Sequence, residues 1–389
     1  METNNIIKIT IGGDIMSLKE QNEAILRKYG EYDYRDYLVG IKSILESSDY
    51  CIANLETPIC DSKPYTDSDY IFNTPSSILD AIKNVGFDFL STANNHCLDR
   101  GYEGIRETIE ALDKRGLHHS GTFINNNEDQ RFSIINIKGV TFALVCFTYG
   151  TNSEHNGVML DNTQMRGLNI CKKQSKPRKF KFDPTSLSKP SDYNFCSDDV
   201  SPAAIQNPAN IELLERICSL IKIAKKQADI VIALPHIGGQ FNPAPGLYTR
   251  YVIEKIKNAG ADMIVCSHPH TTLRCETYNL GQSLCAYSLG NLCFTPNVGW
   301  YLPNSLADYG ILLHLFWDTK TKKFVKATFD VTKSIVGEDE IARVIPTKYL
   351  YENETNSSKR EYLLVENEAV VNRFRGGAKC ILPQLNYLL

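Results

Sequence analysis

Eight histidines occur in this 389-residue chain, and four of them cluster with other polar residues where short apolar runs stop. Gly12-Gly13-Asp14 closes the first run, Asn54-Leu55-Glu56 the second, and Ala93-Asn94-Asn95-His96 the third. Leu234-Pro235-His236 and Ser267-His268-Pro269-His270 close two later ones. Carboxylate, imidazole and amide oxygen together suit borderline divalent cations such as Mn²⁺, Fe²⁺ or Zn²⁺. A His-x-His can aim each ring at a different ion, and one carboxylate such as Glu56 can bridge two cations about 3.5–4 Å apart. Such a pair supplies a nucleophile at neutral pH and stabilises a developing oxyanion. The same residue types also serve acid–base chemistry.

Each residue alone has a plainer explanation. Asp14 after two glycines fits a turn or helix cap, Asn94 and Asn95 fit turn geometry, and Glu56 fits a solvated loop. Any of the four histidines could be structural. Their joint placement is what packing alone does not explain, because loops from several strands converge at the carboxyl ends of an open α/β sheet. His118 and His119 lie at a helix-to-strand connection, His155 in a polar stretch and His314 inside a strand, and none of these reads as a ligand.

The elements that must position the set are legible as alternating strands and helices. Strand candidates are residues 6–12, 50–55, 87–93, 132–137, 141–147, 230–234 and 263–267. Helix candidates between them are 34–46, 76–85, 101–115, 207–227 and 248–259. This alternation predicts a layered α/β architecture. After His270 closely spaced strands (273–278, 284–289, 310–317, 323–331) suggest a β-rich second sheet, and a helix is expected near 357–365. Residues 150–206 are polar and aperiodic, either a functional lid or a mobile insertion.

A net charge of −3 gives no basic field for nucleic acid. The basic run from Lys172 to Lys181 reads as a solvated loop. No leader-like segment opens the chain and no run approaches the roughly 20 apolar residues of a membrane helix. Twelve cysteines without a C-x-x-C spacing read as small buried hydrophobes in a reducing compartment. The expectation is a cytoplasmic protein without a membrane segment.

The motifs also carry a family resemblance. Gly13-Asp14-Ile15-Met16, Asn54-Leu55-Glu56-Thr57-Pro58 and Ala93 through Gly101 resemble the bacterial capsule-biosynthesis CapA family, the poly-γ-glutamate synthesis proteins of the calcineurin-like metallophosphoesterase superfamily. Gly121-Thr122, His236-Ile237-Gly238, His268-Pro269-His270 and Tyr287 through Asn291 continue the match in order to about residue 295. The resemblance implies an α/β fold with a two-sheet β-sandwich flanked by helices, the four-layer metallophosphoesterase-like arrangement. It implies a domain over residues 1–333 containing the insertion at about 150–206, with a C-terminal extension at 334–389.

By analogy, Asp14 and His270 face one metal ion and Asn95, His236 and His268 the other, with Glu56 between them. His96 is then a general acid or oxyanion partner, and Asn94 and Asn291 contact substrate. Three departures stand out. Met16 occupies a position where superfamily hydrolases carry histidine, which removes one ligand from the first metal position; CapA-type sequences share this. Glu56 replaces the usual bridging aspartate, and Ile237 replaces a usual tryptophan.

Three functions follow. A hydrolase using one or two divalent ions (Mn, Fe or Zn) would act on a phosphoester or a γ-glutamyl-type amide, in a small molecule or a polymer, linked to capsule or poly-γ-glutamate metabolism. A metal-independent acid–base enzyme, such as an epimerase, would use Asp14 and a nearby histidine. A non-catalytic assembly or export factor would work with other capsule-synthesis proteins.

Overall fold

The computed structural model describes residues 5–65, 71–124, 131–161, 163–176, 201–296, 303–377 and 381–389. Part of the polar stretch 150–206 (residue 162 and residues 177–200), the end of the basic run (177–181) and residues 378–380 therefore lie outside the described residues.

The isoleucine-rich first strand, β1 (Ile6–Ile15), organises one sheet. On one side it runs parallel to β2 (Tyr50–Leu55), which pairs with β3 (Phe89–Ser91), which pairs with β4 (His118–Ser120). β2 and β3 are buried at every position, as expected of parallel strands covered on both faces. The second sheet runs from β5 (Ser133–Ile137) through β6 (Val140–Thr148), β7 (Ile230–His236) and β8 (Met263–Val265). β10 (Ser283–Leu289) and β9 (Thr272–Tyr278) complete it.

The strands after His270 do not form one sheet of their own. β9 and β10 join the second sheet, whereas β11 (Asn291–Cys293) and β12 (Tyr309–Asp318) pair with β1. β13 (Phe324–Val336), β14 (Ala342–Pro346) and β15 (Tyr387–Leu388) extend that first sheet. The chain crosses between sheets at Gly290, in a left-handed backbone (φ 70). A strand-by-strand reading carries no signal for that crossing, because it detects elements and not their partners.

Three apolar clusters define the layers. Ile7, Ile9, Ile11, Ile52 and Phe89 of the first sheet meet Phe142, Leu144, Ile232 and Met263 of the second in one central core. The outer face of the first sheet packs on α1 (Lys19–Tyr29) and α2 (Ile78–Asn84), and that of the second on α5 (Pro208–Gln227) and α6 (Leu247–Ala259). The order is helix, sheet, sheet, helix, the expected two-sheet sandwich flanked by helices. Between them, α3 (Gly101–Arg115) contributes Ile105 and Ile109 to the central core, and α7 (Ser357–Arg375) contributes Val370, Val371 and Phe374.

One expected helix, 34–46, is mostly absent. A 3-10 turn at Val39–Ile41 and a single helical turn at Lys42–Leu45 stand in its place. Gly40 lies against the backbone of β14, where an added Cβ would come within 2.4 Å of the Val344 carbonyl oxygen. Tertiary contact overrides the helical period there.

Candidate metal centre

The carboxyl ends of parallel strands from both sheets meet at one edge of the sandwich. Asp14 is the last residue but one of β1, Glu56 follows β2, Asn95 and His96 follow β3, His236 ends β7, and His268 and His270 follow β8. Glycine lets the two sheets come this close. A Cβ on Gly13 would sit 1.9 Å from the Gly290 carbonyl oxygen, the same oxygen that accepts the Asp14 N–H at 3.2 Å. Asn291, one residue on, pairs in register with Asp14.

Two groups of potential ligands share Glu56: one contains Asp14, Glu56 and His270, the other Glu56, His236 and His268. Within each group the ligand atoms lie within 4.8 Å of one another. Asn95 joins the second group, its Oδ1 2.7 Å from His236 Nε2. Glu56 Oε1 lies 3.3 Å from His236 Nε2 and 3.6 Å from His270 Nε2. Both Glu56 oxygens are buried, and no nitrogen or hydroxyl donor meets either with hydrogen-bond geometry, although the Asp14 carboxyl beside it can share a proton with it. A buried carboxylate in that condition costs several kcal/mol unless a cation or a proton compensates it. The donor set therefore fits divalent metal, as these oxygen and imidazole ligands would.

Outer contacts aim the rings inward. Asn291 gives its amide N–H groups to the His270 and Ala307 carbonyls (3.3 and 2.7 Å), so its Oδ1 must accept from His270 Nδ1 (2.9 Å). That leaves the His270 Nε2 lone pair facing Glu56. Ser267 Oγ lies 2.8 Å from His236 Nδ1, and the Tyr149 hydroxyl 3.0 Å from His268 Nε2. With protons on those outer nitrogens, His236 Nε2 and His268 Nδ1, 3.2 Å apart, present lone pairs to a common point. Asp14 accepts from Asn54 Nδ2 (2.8 Å) and from the His268 backbone N–H (3.1 Å).

The loop bearing the His-x-His pair is strained. His268 and His270 have φ of 102 and 53, left-handed values that cost non-glycine residues about 1–3 kcal/mol each. From α7, Arg373 braces this loop through hydrogen bonds to Thr271 Oγ1 and to the Ser305 carbonyl.

Burial governs the protonation of the cluster. It pushes Asp14 up to about 7, with the nearby Glu56 carboxylate adding to the rise, and pushes Glu56 up to about 8. It pushes His236 down to about 4 and His270 to about 3, and holds His268 well below the ordinary range. The histidines are thus neutral at pH 7, as metal ligands must be.

His96 stands beside the ligands. Its ring stacks on Phe72 at 3.8 Å, and its Nδ1 lies 2.6 Å from Asp99 Oδ2. Asp99 is itself fixed by the Phe72 backbone N–H (2.7 Å) and by Asn156 Nδ2 (3.2 Å). Burial lowers the His96 pKa, but Asp99 together with Glu56 and Asp14 outweighs it and the net displacement is upward. Asn94 donates to the Leu55 carbonyl (2.7 Å) and accepts from the His96 backbone N–H (3.1 Å). Met16 is buried in an apolar cluster with Leu18, Phe72, Phe241 and Phe294, and Ile237 faces the helix-side core of the second sheet.

The structure thus brings all nine sequence-derived residues to one edge. His118, His119 and His314 pair elsewhere, with Tyr50, Asp113 and Asp330 respectively. Sequence reasoning missed Asn54, Asp99, Tyr149, Asn152, Ser267 and Arg373. Tyr149 and Asn152 lie just past the end of β6, where the strand-end rule applies equally, and Asp99 stands one turn after His96. Arg373 carries no local signal.

Among the described residues no helix is long and apolar enough to cross a membrane, and the ten cysteines described are all free. The chain is 26% identical over 301 residues to the PGA biosynthesis protein CapA of Bacillus subtilis (strain 168), covering 77% of this chain and 65% of that protein. It is 28% identical over 301 residues to the capsule biosynthesis protein CapA of Bacillus anthracis, covering 76% and 61%. The aligned region is thus less than two thirds of either relative's length. A solved structure described as a novel phosphatase from Mycoplasma pneumoniae aligns with 84% of this chain and 93% of its own, at TM-score 0.41 and 12% identity. A family model described as bacterial capsule synthesis protein PGA_cap matches residues 8–296, a span that holds every candidate ligand, and the chain belongs to that family.

Proposed function

We propose that this chain is a metal-dependent hydrolase of the capsule synthesis family, acting on a phosphoester or a γ-glutamyl-type amide. The observation that carries the reading is Glu56: a buried carboxyl group that no nitrogen or hydroxyl donor satisfies, set beside Asp14 and shared by two groups of inward-facing ligands. Asp14, Glu56 and His270 would hold one cation, and Glu56, Asn95, His236 and His268 a second. When bound, such cations supply Lewis acidity and a nucleophile at neutral pH.

The chain's own residues do the rest. Asp99 holds His96 by Nδ1 and Phe72 stacks on the ring, so Nε2 is the atom that would exchange a proton with the leaving group. The apolar cluster of Met16, Phe72, Phe241 and Phe294 forms a dry wall that strengthens electrostatic interactions beside it. The relatives' names and the family description support a substrate in capsule or poly-γ-glutamate metabolism.

Elemental analysis of the purified protein, alongside His268→Ala and Asp14→Ala, tests the reading. One to two equivalents of Mn, Fe or Zn, lost in the variants, is the expected result, followed by turnover in a metal-supplemented phosphoester and γ-glutamyl amide screen. A folded protein that contains no metal and takes up none on addition would overturn it and leave the metal-independent acid–base and assembly-factor readings.

A further inference from the structure

The segment that carries His270 is stitched at two points to the stretch from Pro303 to Ala307, which opens with a 3-10 turn at Pro303–Ser305. Asn291 makes one stitch, donating to both the His270 and the Ala307 carbonyls. Thr271 makes the other, its hydroxyl donating to the Ser305 carbonyl at 2.7 Å. Arg373 of α7 closes that second stitch. A single nitrogen, Nη1, donates to Thr271 Oγ1 and, at 2.7 Å, to the same Ser305 carbonyl. His270, one residue before Thr271, has the left-handed φ of 53, a backbone that persists only where its surroundings over-determine it.

Two features separate Arg373 from an ordinary packing residue. It is partly buried with no carboxylate paired to it among the described residues, and burial lowers its pKa. A guanidinium in that condition is a cost to folding, and an apolar side chain of similar length would cover the same surface without it. What the guanidinium adds is a donor between two segments. Its bonds also end beside one group of ligands alone. The other group is held from elsewhere: His236 by Ser267, His268 by Tyr149, and Asn95 through its Nδ2, which donates to Asn152 Oδ1 at 3.2 Å just ahead of α4 (Ser153–Asn156).

Resting on the metal reading above, we infer that Arg373 is a positioning residue for the cation position of Asp14, Glu56 and His270. The helix α7 is thereby part of the metal centre, although it lies past residue 296, where the match to the family model ends.

The test is calorimetric titration of Mn²⁺ into metal-stripped wild type, Arg373→Met, Arg373→Lys and Asn367→Ala, with the paramagnetic resonance spectrum and melting temperature of each. Wild type should take up Mn²⁺ in two steps and show a spin-coupled pair. Arg373→Met should melt no lower than wild type, yet lose roughly 10–100-fold in one step only, the size of outer-contact effects on metal sites. Its spectrum should then show isolated Mn²⁺. In Arg373→Lys one ammonium can make both bonds, and the coupled pair should return. Asn367→Ala loosens the same helix at Thr347 and Tyr387 (2.8 and 2.9 Å), and should lower melting with uptake unchanged. Unchanged uptake in Arg373→Met, a loss matched by Asn367→Ala, or a loss that Arg373→Lys does not relieve would each overturn this inference and leave the metal reading standing. A wild type that takes up no Mn²⁺ would remove both.

Discussion

Two buried histidine–carboxylate clusters draw residues from β1, and they could hardly be more different in condition. One joins Thr10 of β1, His314 of β12 and Asp330 of β13: His314 Nδ1 lies 2.7 Å from Thr10 Oγ1 and Nε2 lies 2.9 Å from Asp330 Oδ2. Asp330 also accepts the Asn386 backbone N–H at 2.5 Å, so both ring nitrogens and the carboxylate are partnered. The other cluster begins four residues along the same strand, at Asp14. There the Glu56 oxygens lack nitrogen and hydroxyl donors, three histidines face inward, and two of those histidines occupy strained backbone. Residue type and burial are alike in both. What separates a packed polar pair from a candidate site is unsatisfied valence held in place by outer contacts.

Glu56→Gln should sharpen the contrast most. Cation uptake should fall by more than the roughly 10–100-fold typical of outer-contact changes, while the metal-free protein becomes more stable. The sign follows from the raised Glu56 pKa of about 8. Stability associated with the protonated carboxyl is present at low pH and lost as pH rises through about 8. The gain in Glu56→Gln should therefore be largest above pH 8, on the order of 1–3 kcal/mol, read from denaturant titrations of stripped protein at pH 6 and 9. Equal stability of the two at pH 9 would show that Glu56 is satisfied after all.

Asn291→Ala tests whether the outer contacts aim the rings. Without its Oδ1, His270 loses the partner that keeps its Nε2 unprotonated. Cation affinity should drop by roughly 10–100-fold with a smaller effect on folding, measured by calorimetry and thermal melting. An unchanged affinity would break the link between His270 orientation and binding.

His314→Leu should show the opposite pattern: a loss of about 1–3 kcal/mol in stability at unchanged cation affinity. Burial lowers the His314 pKa below its ordinary value of 6.5, so the contribution is full above about pH 6.5 and declines as pH falls below it. His236, His268 and His270 share that sign, so the difference between wild type and variant isolates His314. It should shrink between pH 6.5 and 5; a difference that grows on acidification would reverse the assignment.

The sequence already held much of this. Helices at 101–115, 207–227 and 248–259 and most strands were legible because apolar periodicity is strong where one face is buried. The nine candidate residues were legible because polar residues at several strand ends have no packing explanation. Partnership was not legible. Nothing local distinguishes β10, which stays in the second sheet, from β11, which joins the first after a single glycine. Nor does any periodic pattern show that Arg373 would brace the loop after His270, or that Asn152 would meet Asn95. Those contacts are set by tertiary closure, which single-strand patterns do not encode.

The crossing at Gly290 sets a timetable for biosynthesis. While the ribosome is still adding residue 280, Asp14, Glu56, Asn95, His236, His268 and His270 have all been made. Yet β1 still lacks both β11 and its antiparallel neighbour β12, and His270 lacks the Asn291 oxygen. The nascent chain therefore carries a full list of ligands with no frame to hold them. A centre of this design is completed only once more than three hundred residues have emerged, so the metal binding proposed above would wait for the finished fold and not begin during translation.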